Sequence, residues 1–531
     1  MCYSDLYSAR HLSGPYSKIE SDRPMDTYEP PIFELSARGK IGVNLPRLDV
    51  PEVELPTNLL RQDDLAPMPE LSEVEVVRHY TRISQRNFCI DTGMYPLGSC
   101  SMKWNGKLHE EVARYPGFAG AHPLQDEEVS QGALRLMYEL QGYLAALSGF
   151  DAVSLQPAAG AQGEFTGVLV FRAYHLARGD HDRTEILVPD SAHGTNPATA
   201  AMAGMKVVEI KSDRRGNVDL DDLSSKLSPR AAGLMLTNPN TLGLFEENVQ
   251  EVARLVHQVG GLVYGDGANF NAILGIVKPR EVGFDFMHYN LHKTFTTPHG
   301  GGGPGSGAVG CTAELAPFLP GPLVEKVEER AGTVYRFKTP EQSIGSVKTF
   351  WGNFGMLVRA WTYIRTLGAA GLKEVSEVAV LNANYLRARL QGTYPPAYDR
   401  VCMHETVLKG QIAEAPQART LDIAKRLIDY GFHPPTVYFP LIVPEALMIE
   451  PTETETKRNM DAFADAMLKI ADEAREDIEI LHQAPTTAPV RRLDEVRAAR
   501  QPVLKYDPAA FAKLREEGTA KVGEQIPQPT A

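Results

Sequence analysis

The sequence predicts an α/β protein in which a mostly parallel sheet is covered by helices on both faces and is followed by a smaller α+β domain. Two observations support this prediction. From residue 151 onward, short apolar runs alternate with longer helical patterns, as in a parallel sheet whose strands are joined by helices. Beyond residue 346 the alternation gives way to long helices with a few strands between them.

The part of the chain before residue 151 is predicted to hold few regular elements. Residues 1–70 are rich in proline and charge without a sustained period, which is typical of an arm that is loose or covers another surface. A helix is predicted over 71–86 and a turn-rich connector over 91–105. A long amphipathic helix is predicted over 126–148, ending at Gly149.

The central region carries the alternating pattern. Strands are predicted at 151–155, 185–189, 206–210, 231–239 and 262–266, and helices at 163–178, within 190–204, at 219–227 and at 246–259. Because ligands of such sheets gather at the carboxyl ends of the strands, the loops 156–162, 189–198 and 264–270 are expected to converge on one crevice.

The C-terminal region is predicted to form the smaller domain. Helices are expected at 351–368, 371–391, 420–431 and 455–476, and strands at 402–410 and 436–443. These patterns divide the chain into an arm (1–70), a large α/β domain (71–345), a small α+β domain (346–482) and a surface tail (483–531).

Composition excludes several classes of protein. The 531 residues are 43% hydrophobic and 23% charged, as in a globular protein, and the net charge of −13 would repel nucleic acid and anionic membranes. No apolar run of about 18 residues and no signal peptide are evident, so a cytoplasmic location, or an organelle in a eukaryote, is expected. The five cysteines are scattered without a CxxC pair, and no metal site is predicted.

The stretch 262–305 holds the strongest candidate for a cofactor site. A buried strand delivers Asp266, and a second apolar stretch leads to Lys293 between His292 and Thr294. Pyridoxal phosphate needs a lysine to hold its aldehyde as a Schiff base and a carboxylate to keep its ring nitrogen protonated. Taken alone, however, a lysine in an HK dipeptide is usually a solvated surface charge.

Two further loops supply matching signals. The residues Gly160, Ala161 and Gln162 enter a helix, where backbone N–H groups suit a phosphate, although small residues also simply close tight turns. His193 follows the strand 185–189 and is a candidate to stack on the cofactor ring, the alternative being an ordinary loop histidine. Ala268 is small enough to pack on the opposite ring face.

The candidate site combines these residues. Lys293 and His193 are predicted to be catalytic, and the cofactor contacts are predicted to be Gly160, Ala161, Gln162, His193, Thr195, Asp266, Ala268, His292, Lys293 and Thr294. The glycine run 300–303 lacks the pattern of a nucleotide loop and is interpreted as flexible backbone beside the lysine.

Several motifs together resemble one enzyme family. The segments YPLGSCSMKWN, PAAGAQGE, SAHGTNPA, YGDGANFNA and NLHKTFTTPHGGGGPG are similar to those of glycine decarboxylase, the P-protein of the glycine cleavage system. The length and the IFELSARGK opening resemble subunit 2 of its two-subunit form. The chain departs from many relatives at Ala158 and Ala159, where Asn-Ser is common, and at Trp104, where Tyr is usual.

The resemblance implies a fold type I enzyme that uses pyridoxal 5'-phosphate, with Lys293 as Schiff-base lysine, Asp266 as partner of the ring nitrogen and His193 as the stacking residue. It implies that glycine is decarboxylated and that the aminomethyl group passes to the lipoyl group of H-protein. It also implies a subunit 1 partner in a heterotetramer of two heterodimers. The alternatives are a pyridoxal-phosphate decarboxylase or aminotransferase of another amino acid, and a noncatalytic scaffold subunit.

Overall fold

The computed structural model describes residues 29–61, 68–299, 305–330, 332–488, 490–510 and 512–513. The glycine run 300–303 and the first 28 residues lie outside this described part. Contacts divide the chain into two compact units, one of residues 1–88 with 486–531 and the other of residues 89–485. Among the described residues, no helix combines the length and apolarity needed to cross a membrane.

The helices and strands follow the chain in two series. The helices are Glu73–Ser84 (α1), Lys107–Ala113 (α2), Pro116–Ala119 (α3), Gln131–Ser148 (α4), Gly160–Ala177 (α5), Thr195–Met202 (α6), Leu220–Lys226 (α7), Val249–Gln258 (α8), Leu291–Thr294 (α9), Phe354–Leu390 (α10), Thr420–Asp429 (α11), Lys457–Glu476 (α12), Glu479–Gln483 (α13) and Glu495–Arg500 (α14). The strands are Ala152–Ser154 (β1), Glu185–Pro189 (β2), Lys206–Ile210 (β3), Ala231–Thr237 (β4), Leu262–Asp266 (β5), Phe286–Asn290 (β6), Gly307–Cys311 (β7), Leu323–Glu329 (β8), Gly332–Lys338 (β9), Thr406–Lys409 (β10), Thr436–Val437 (β11) and Ala446–Ile449 (β12).

The predicted mostly parallel sheet is confirmed. Its seven strands lie in the order β1-β7-β6-β5-β4-β2-β3, and only β7 runs antiparallel to its neighbours. Every residue of β2, β4, β5, β6 and β7 is buried. Strands with both faces covered are continuous apolar runs in the sequence, which explains why β2, β4 and β5 were predicted. The short, glycine-containing β7 (GAVGC) was not predicted.

Helices cover both faces of this sheet, as predicted. Successive strand residues alternate between two core clusters, because side chains of a strand point to opposite faces. One cluster joins Ile186, Met235 and Tyr264 to Val168 and Phe171 of α5. The other joins Leu187, Leu236 and Val263 to residues of α4, α8 and α10.

The long predicted helix at 126–148 is shorter than expected. A 3-10 turn, Glu127–Val129, takes up its acidic start, and Ser130 at φ −106° and ψ 11° separates this turn from α4. The helix ends where predicted, because Gly149 adopts the left-handed conformation at φ 81° that suits glycine.

The C-terminal region of the larger unit contains a small antiparallel sheet of order β10-β12-β11, with α11 and α12. The prediction of two helices at 351–368 and 371–391 is confirmed, since α10 consists of two helical segments that meet at a kink at Gly368, whose φ of 62° and ψ of −176° are not helical. The strand predicted over 436–443 extends only over β11. Tyr438 has φ 56°, and Pro440 lacks the N–H that a strand needs.

The smaller unit contains α1, whose first turn carries a capping box formed by Ser72 and Glu75. Before this helix, two 3-10 turns, Ile32–Leu35 and Thr57–Leu59, are the regular elements of the described residues. A row of apolar side chains between 41 and 55 is 61% to 83% exposed: Ile41, Val43, Leu45, Leu48, Val50, Val53 and Leu55. The predicted domain boundaries remain a prediction.

Candidate active site

One cavity of about 250 Å³ lies at the carboxyl ends of the parallel strands. It is lined by Ser99, Ala159, Gly160, Ala161, Glu164, His193, Thr195, Thr237, Thr241, Asp266, Ala268, Asn269, Asn290, His292 and Lys293. All the candidate site residues are among them except Gln162 and Thr294. Loops that are far apart in the sequence therefore meet here, as the strand order requires.

Lys293 is carried by the short helix α9, which follows β6 directly. Its side chain lines the cavity and makes no hydrogen bond or ion pair with any residue in the described part of the chain. A lysine amine that faces a cavity without a protein partner is available to a ligand.

Asp266 is the last residue of β5 and is 4% exposed. Its Oδ1 accepts a hydrogen bond of 2.9 Å from the backbone N–H of Ala268, and Nε2 of His288 lies 3.4 Å from the same oxygen. Burial lowers the pKa of His288, which keeps that ring neutral. The Asp266 carboxylate therefore faces the cavity, and neither of these two contacts is to a positively charged group.

The first turn of α5 borders the cavity through Gly160 and Ala161. A side chain at Gly160 would place its Cβ 2.1 Å from the amide oxygen of Asn290, so any larger residue would require the buried Asn290 side chain to move. The first N–H groups of a helix have no partner within it and form a positive end that suits an anion.

The two candidates that do not line the cavity have other contacts. The amide of Gln162 accepts from the backbone N–H of Ala158 and donates to the carbonyl of Val347, both at 2.6 Å. Thr294 is buried, and its carbonyl accepts from Nζ of Lys103 at 3.0 Å. Any role of Gln162 at the site is thus limited to its backbone.

Two histidines of the cavity wall are neutral at physiological pH. Desolvation, followed by the charge of Lys293, lowers the pKa of His292 to about 4. Desolvation also lowers the pKa of His193, against the opposing charge of Asp266. Neither ring adds positive charge beside the lysine.

Sequence reasoning missed Glu164, which lies on α5 and lines the same cavity. The side chain is 5% exposed, and burial together with the charge of Asp266 raises its pKa to about 8. Nothing in the sequence marks this glutamate, because a charged residue at a helical position is ordinarily a solvated one.

Sequence reasoning also read the loop 91–105 as a connector, whereas its backbone binds two buried glutamates. The N–H of Ser99 donates to Glu405 Oε2 at 2.7 Å, and that of Ser101 donates to Glu450 Oε2 at 3.0 Å. Burial and the charge of Glu450 raise the pKa of Glu405. Ser99 also lines the cavity, so this loop forms one wall of the site.

Lys103 of the same loop is a buried ion-pair partner. Its Nζ lies 2.6 Å from Glu453 Oε1 and donates to Asn271 Oδ1 at 2.7 Å and to the Thr294 carbonyl. The ammonium thereby joins the segments that follow Asp266 and Lys293. It holds the backbone next to the candidate lysine.

Replacement of Lys103 by methionine is expected to lower the free energy of unfolding by about 3–5 kcal/mol, because Glu453 would remain buried without its cation. Denaturant unfolding would measure the change. The matched control is Lys107→Met, whose ion pair with Asp91 is 65% and 51% exposed and should contribute about 0.2–1 kcal/mol. Equal effects of the two substitutions would contradict the assignment.

Comparison with solved structures defines the class of protein. The chain superposes on a crystal structure of glycine decarboxylase (P-protein) with a TM-score of 0.67 and 21% identity, covering 78% of this chain and 93% of that one. A Lactobacillus brevis glutamate decarboxylase matches with a TM-score of 0.60 and 13% identity over 78% and 96% of the two chains. The fold is fold type I of the pyridoxal-phosphate enzymes.

Sequence comparison then narrows the class. The chain is 58% identical over 483 residues to the probable glycine dehydrogenase (decarboxylating) subunit 2 of Caldanaerobacter subterraneus, and the match covers 90% of this chain and 99% of that protein. It is 57% identical over 480 residues to the probable glycine dehydrogenase (decarboxylating) subunit 2 of Bacillus velezensis, and this match covers 90% of this chain and 97% of that protein. The chain belongs to the family of glycine dehydrogenase (decarboxylating) subunit 2. Family profiles agree: Aminotransferase class-V matches 168–328, and Glycine dehydrogenase, C-terminal domain, matches 375–491.

Proposed function

We propose that this chain binds pyridoxal 5'-phosphate in the cavity, decarboxylates glycine and transfers the aminomethyl group to the lipoyl group of H-protein. The observation that carries the proposal is the unpaired amine of Lys293 in one cavity with the buried Asp266. When bound, the cofactor supplies an electron sink for the pair of electrons released with CO2.

Eight of the residues that line the cavity have a role in this proposal. Lys293 would hold the cofactor aldehyde, and Asp266 would keep a proton on the ring nitrogen. The first N–H groups of α5, at Gly160 and Ala161, would bind the phosphate. His193 and Ala268 would flank the ring, with Thr195 and His292 as further contacts.

The proposed reaction transfers an aminomethyl group to the lipoyl group and reduces the lipoyl disulfide in the same step. The bond from the glycine α-carbon to the carboxylate breaks, and CO2 leaves. The α-carbon with its amino group bonds to one sulfur of the lipoyl disulfide, the S–S bond breaks, and the other sulfur keeps that electron pair and takes a proton. The chain must keep water from protonating the carbon first, and the walls that α5 and the loop 91–105 form around the cavity support this requirement.

A partner is part of the proposal because the smaller unit exposes apolar surface. The row of apolar side chains between 41 and 55 is too short and irregular to form its own core and would gain stability from a covering surface. We propose that subunit 1 covers it in a heterodimer, paired again into a heterotetramer. A cytoplasmic location remains a prediction from the sequence.

Reconstitution tests this proposal. The isolated chain is expected to bind the cofactor but to exchange the glycine carboxyl with labelled bicarbonate only after addition of both subunit 1 and lipoylated H-protein. Robust exchange by the chain alone would contradict the two-subunit requirement. Activity of the full mixture on another amino acid, with none on glycine, would favour the alternative decarboxylase or aminotransferase.

A matched pair of surface variants tests the partner's position. Leu45→Ser with Val53→Ser replaces two side chains that are 83% and 79% exposed and should weaken association with subunit 1. Val401→Ser replaces a side chain that is 75% exposed in the larger unit and should leave association unchanged. Equal association of both variants would place the interface elsewhere.

A further inference from the structure

A chain of hydrogen bonds links Asp266 to His193, the two residues expected on different sides of the cofactor. It runs from Asp266 through Asn196 to Glu164, and from Glu164 through the Thr195 hydroxyl to the histidine. The Thr195 hydroxyl lies 3.0 Å from Glu164 Oε1 and 3.0 Å from Nδ1 of His193. Two residues that sequence reasoning treated separately are therefore connected.

The orientation of Asn196 fixes one end of this chain. The amide is fully buried and fits its surroundings with Nδ2 facing both carboxyl groups, 3.1 Å from Asp266 Oδ2 and 2.8 Å from Glu164 Oε2. The opposite orientation would place its carbonyl oxygen against both acids. Because Oε2 of Glu164 accepts this bond, the proton of a neutral Glu164 must lie on Oε1, which faces Thr195.

The proton positions then follow along the chain. A neutral Glu164 donates from Oε1 to the Thr195 hydroxyl, and that hydroxyl donates in turn to Nδ1 of His193. The backbone N–H of Thr195 also donates to Nδ1, at 3.3 Å. Two donors facing Nδ1 leave the ring proton on Nε2, which makes no hydrogen bond with any described residue.

We propose that Glu164 is a positioning residue that acts through Thr195 to fix the tautomer of His193 with its proton on Nε2. His193 then presents a hydrogen-bond donor to the cavity, which suits an anionic group such as a carboxylate. The identity of that anion as the glycine carboxylate rests on the proposed function, whereas the tautomer does not.

Ionisation of Glu164 would remove the hydrogen bond that the Thr195 hydroxyl donates to Nδ1 of His193. Its carboxylate would accept from the Thr195 hydroxyl, so Nδ1 of His193 would lose the stronger of its two donors and the tautomer would shift toward Nδ1–H. Burial, and then the charge of Asp266, raises the pKa of Glu164 to about 8. The hydroxyls of Thr195 and Thr199 and the charge of Lys293 act in the opposite direction.

Two other titratable groups lie near the Glu164 carboxyl group, Tyr264 and His288, and neither is expected to change its charge in the pH range of the test. Burial raises the pKa of Tyr264 well above its ordinary value, and burial lowers the pKa of His288 below its ordinary value of about 6.5, so both groups stay mainly neutral from about pH 6.5 to about 9. Of these three groups, Glu164 is the one whose charge changes within this range.

Nitrogen NMR of the cofactor-free, full-length chain tests the proposal. With 15N-labelled histidine, the His193 signals are assigned by their loss in His193→Gln. The Nε2–H form is expected to predominate at pH 6.5 and to decrease toward pH 9.5 with a midpoint near 8. An unchanged tautomer over this range in the wild-type chain would overturn the proposal.

Four variants distinguish transmission from Glu164 through Thr195 to His193 from a general effect of pH. Glu164→Gln keeps a neutral donor and should hold the Nε2–H form at every pH. Thr195→Val should abolish the pH dependence, and Thr195→Ser should restore it. Thr199→Val, which removes a hydroxyl that contacts Glu164 by another route, should retain it. A wild-type pH dependence in Thr195→Val would show that the signal does not pass through the hydroxyl. The NMR measurement needs no catalytic turnover. The tautomer proposal can therefore be contradicted while the proposed glycine decarboxylation is supported, and the tautomer proposal can be supported while the proposed decarboxylation is contradicted.

Discussion

Replacement of Lys293 by alanine is expected to abolish the visible absorbance band of the bound cofactor and to lower carboxyl exchange by on the order of 10⁴-fold or more. Losses of this size occur when an enzyme loses the group that forms its covalent bond. The amine makes no hydrogen bond or ion pair with any described residue, so its removal should disturb no such contact in this part of the chain. Absorbance spectra and exchange with labelled bicarbonate in the reconstituted mixture would measure both effects.

The control for Lys293→Ala is Lys278→Ala. The Lys278 side chain is 51% exposed and forms a surface pair with Glu281, so its loss should change neither spectrum nor exchange. An absorbance band that survives in Lys293→Ala would show that another amine holds the cofactor. A wild-type protein without any band would instead favour a noncatalytic scaffold subunit.

Replacement of Asp266 by asparagine is expected to leave the cofactor bound but to lower the rate of exchange by on the order of 10²–10³-fold. An amide cannot hold a proton on the ring nitrogen by charge pairing, and the expected loss matches that of one preorganised electrostatic contact in a buried site. The hydrogen bond from Ala268 can persist with the asparagine carbonyl. Titration of cofactor binding, together with exchange kinetics, would separate the two effects.

A second buried aspartate provides the comparison for Asp266→Asn. Asp285, 9% exposed, accepts from His257 at 2.7 Å and from the backbone N–H of Val263, at the start of β5 rather than at its carboxyl end. Asp285→Asn should reduce stability with little effect on the rate of the folded enzyme. Near-normal exchange in Asp266→Asn would show that the electron sink is not controlled from this position.

The sheet and the two central residues of the site were predictable because their signals are local. Continuous apolar runs such as 231–237 and 262–266 mark strands that are buried on both faces. Parallel strands bring their carboxyl ends together, so Asp266 and Lys293 had to meet once the strands were recognised. Where a local signal was ambiguous, as with TVYFPLIV, a positive φ at Tyr438 and the following proline ended the strand early.

The rest of the site depends on contacts that no local pattern encodes. Lys103 and Glu164 look like solvated charges in the sequence, yet both are buried, because their partners come from distant segments. Lys103 meets Glu453, and Glu164 meets Asn196. Such pairs become visible only when the fold has placed both partners.

The wall formed by the loop 91–105 has a consequence for the order in which the protein is made. Ser101 leaves the ribosome 349 residues before its acceptor Glu450, an interval of roughly 20–70 s at ordinary rates of synthesis. The large sheet can assemble in that time, but the N–H of Ser101 has no acceptor until Glu450, which follows the last strand of the small sheet, is translated. The wall that this loop forms is thus incomplete until Glu450 has been translated, and tight capture of the cofactor should not precede that point.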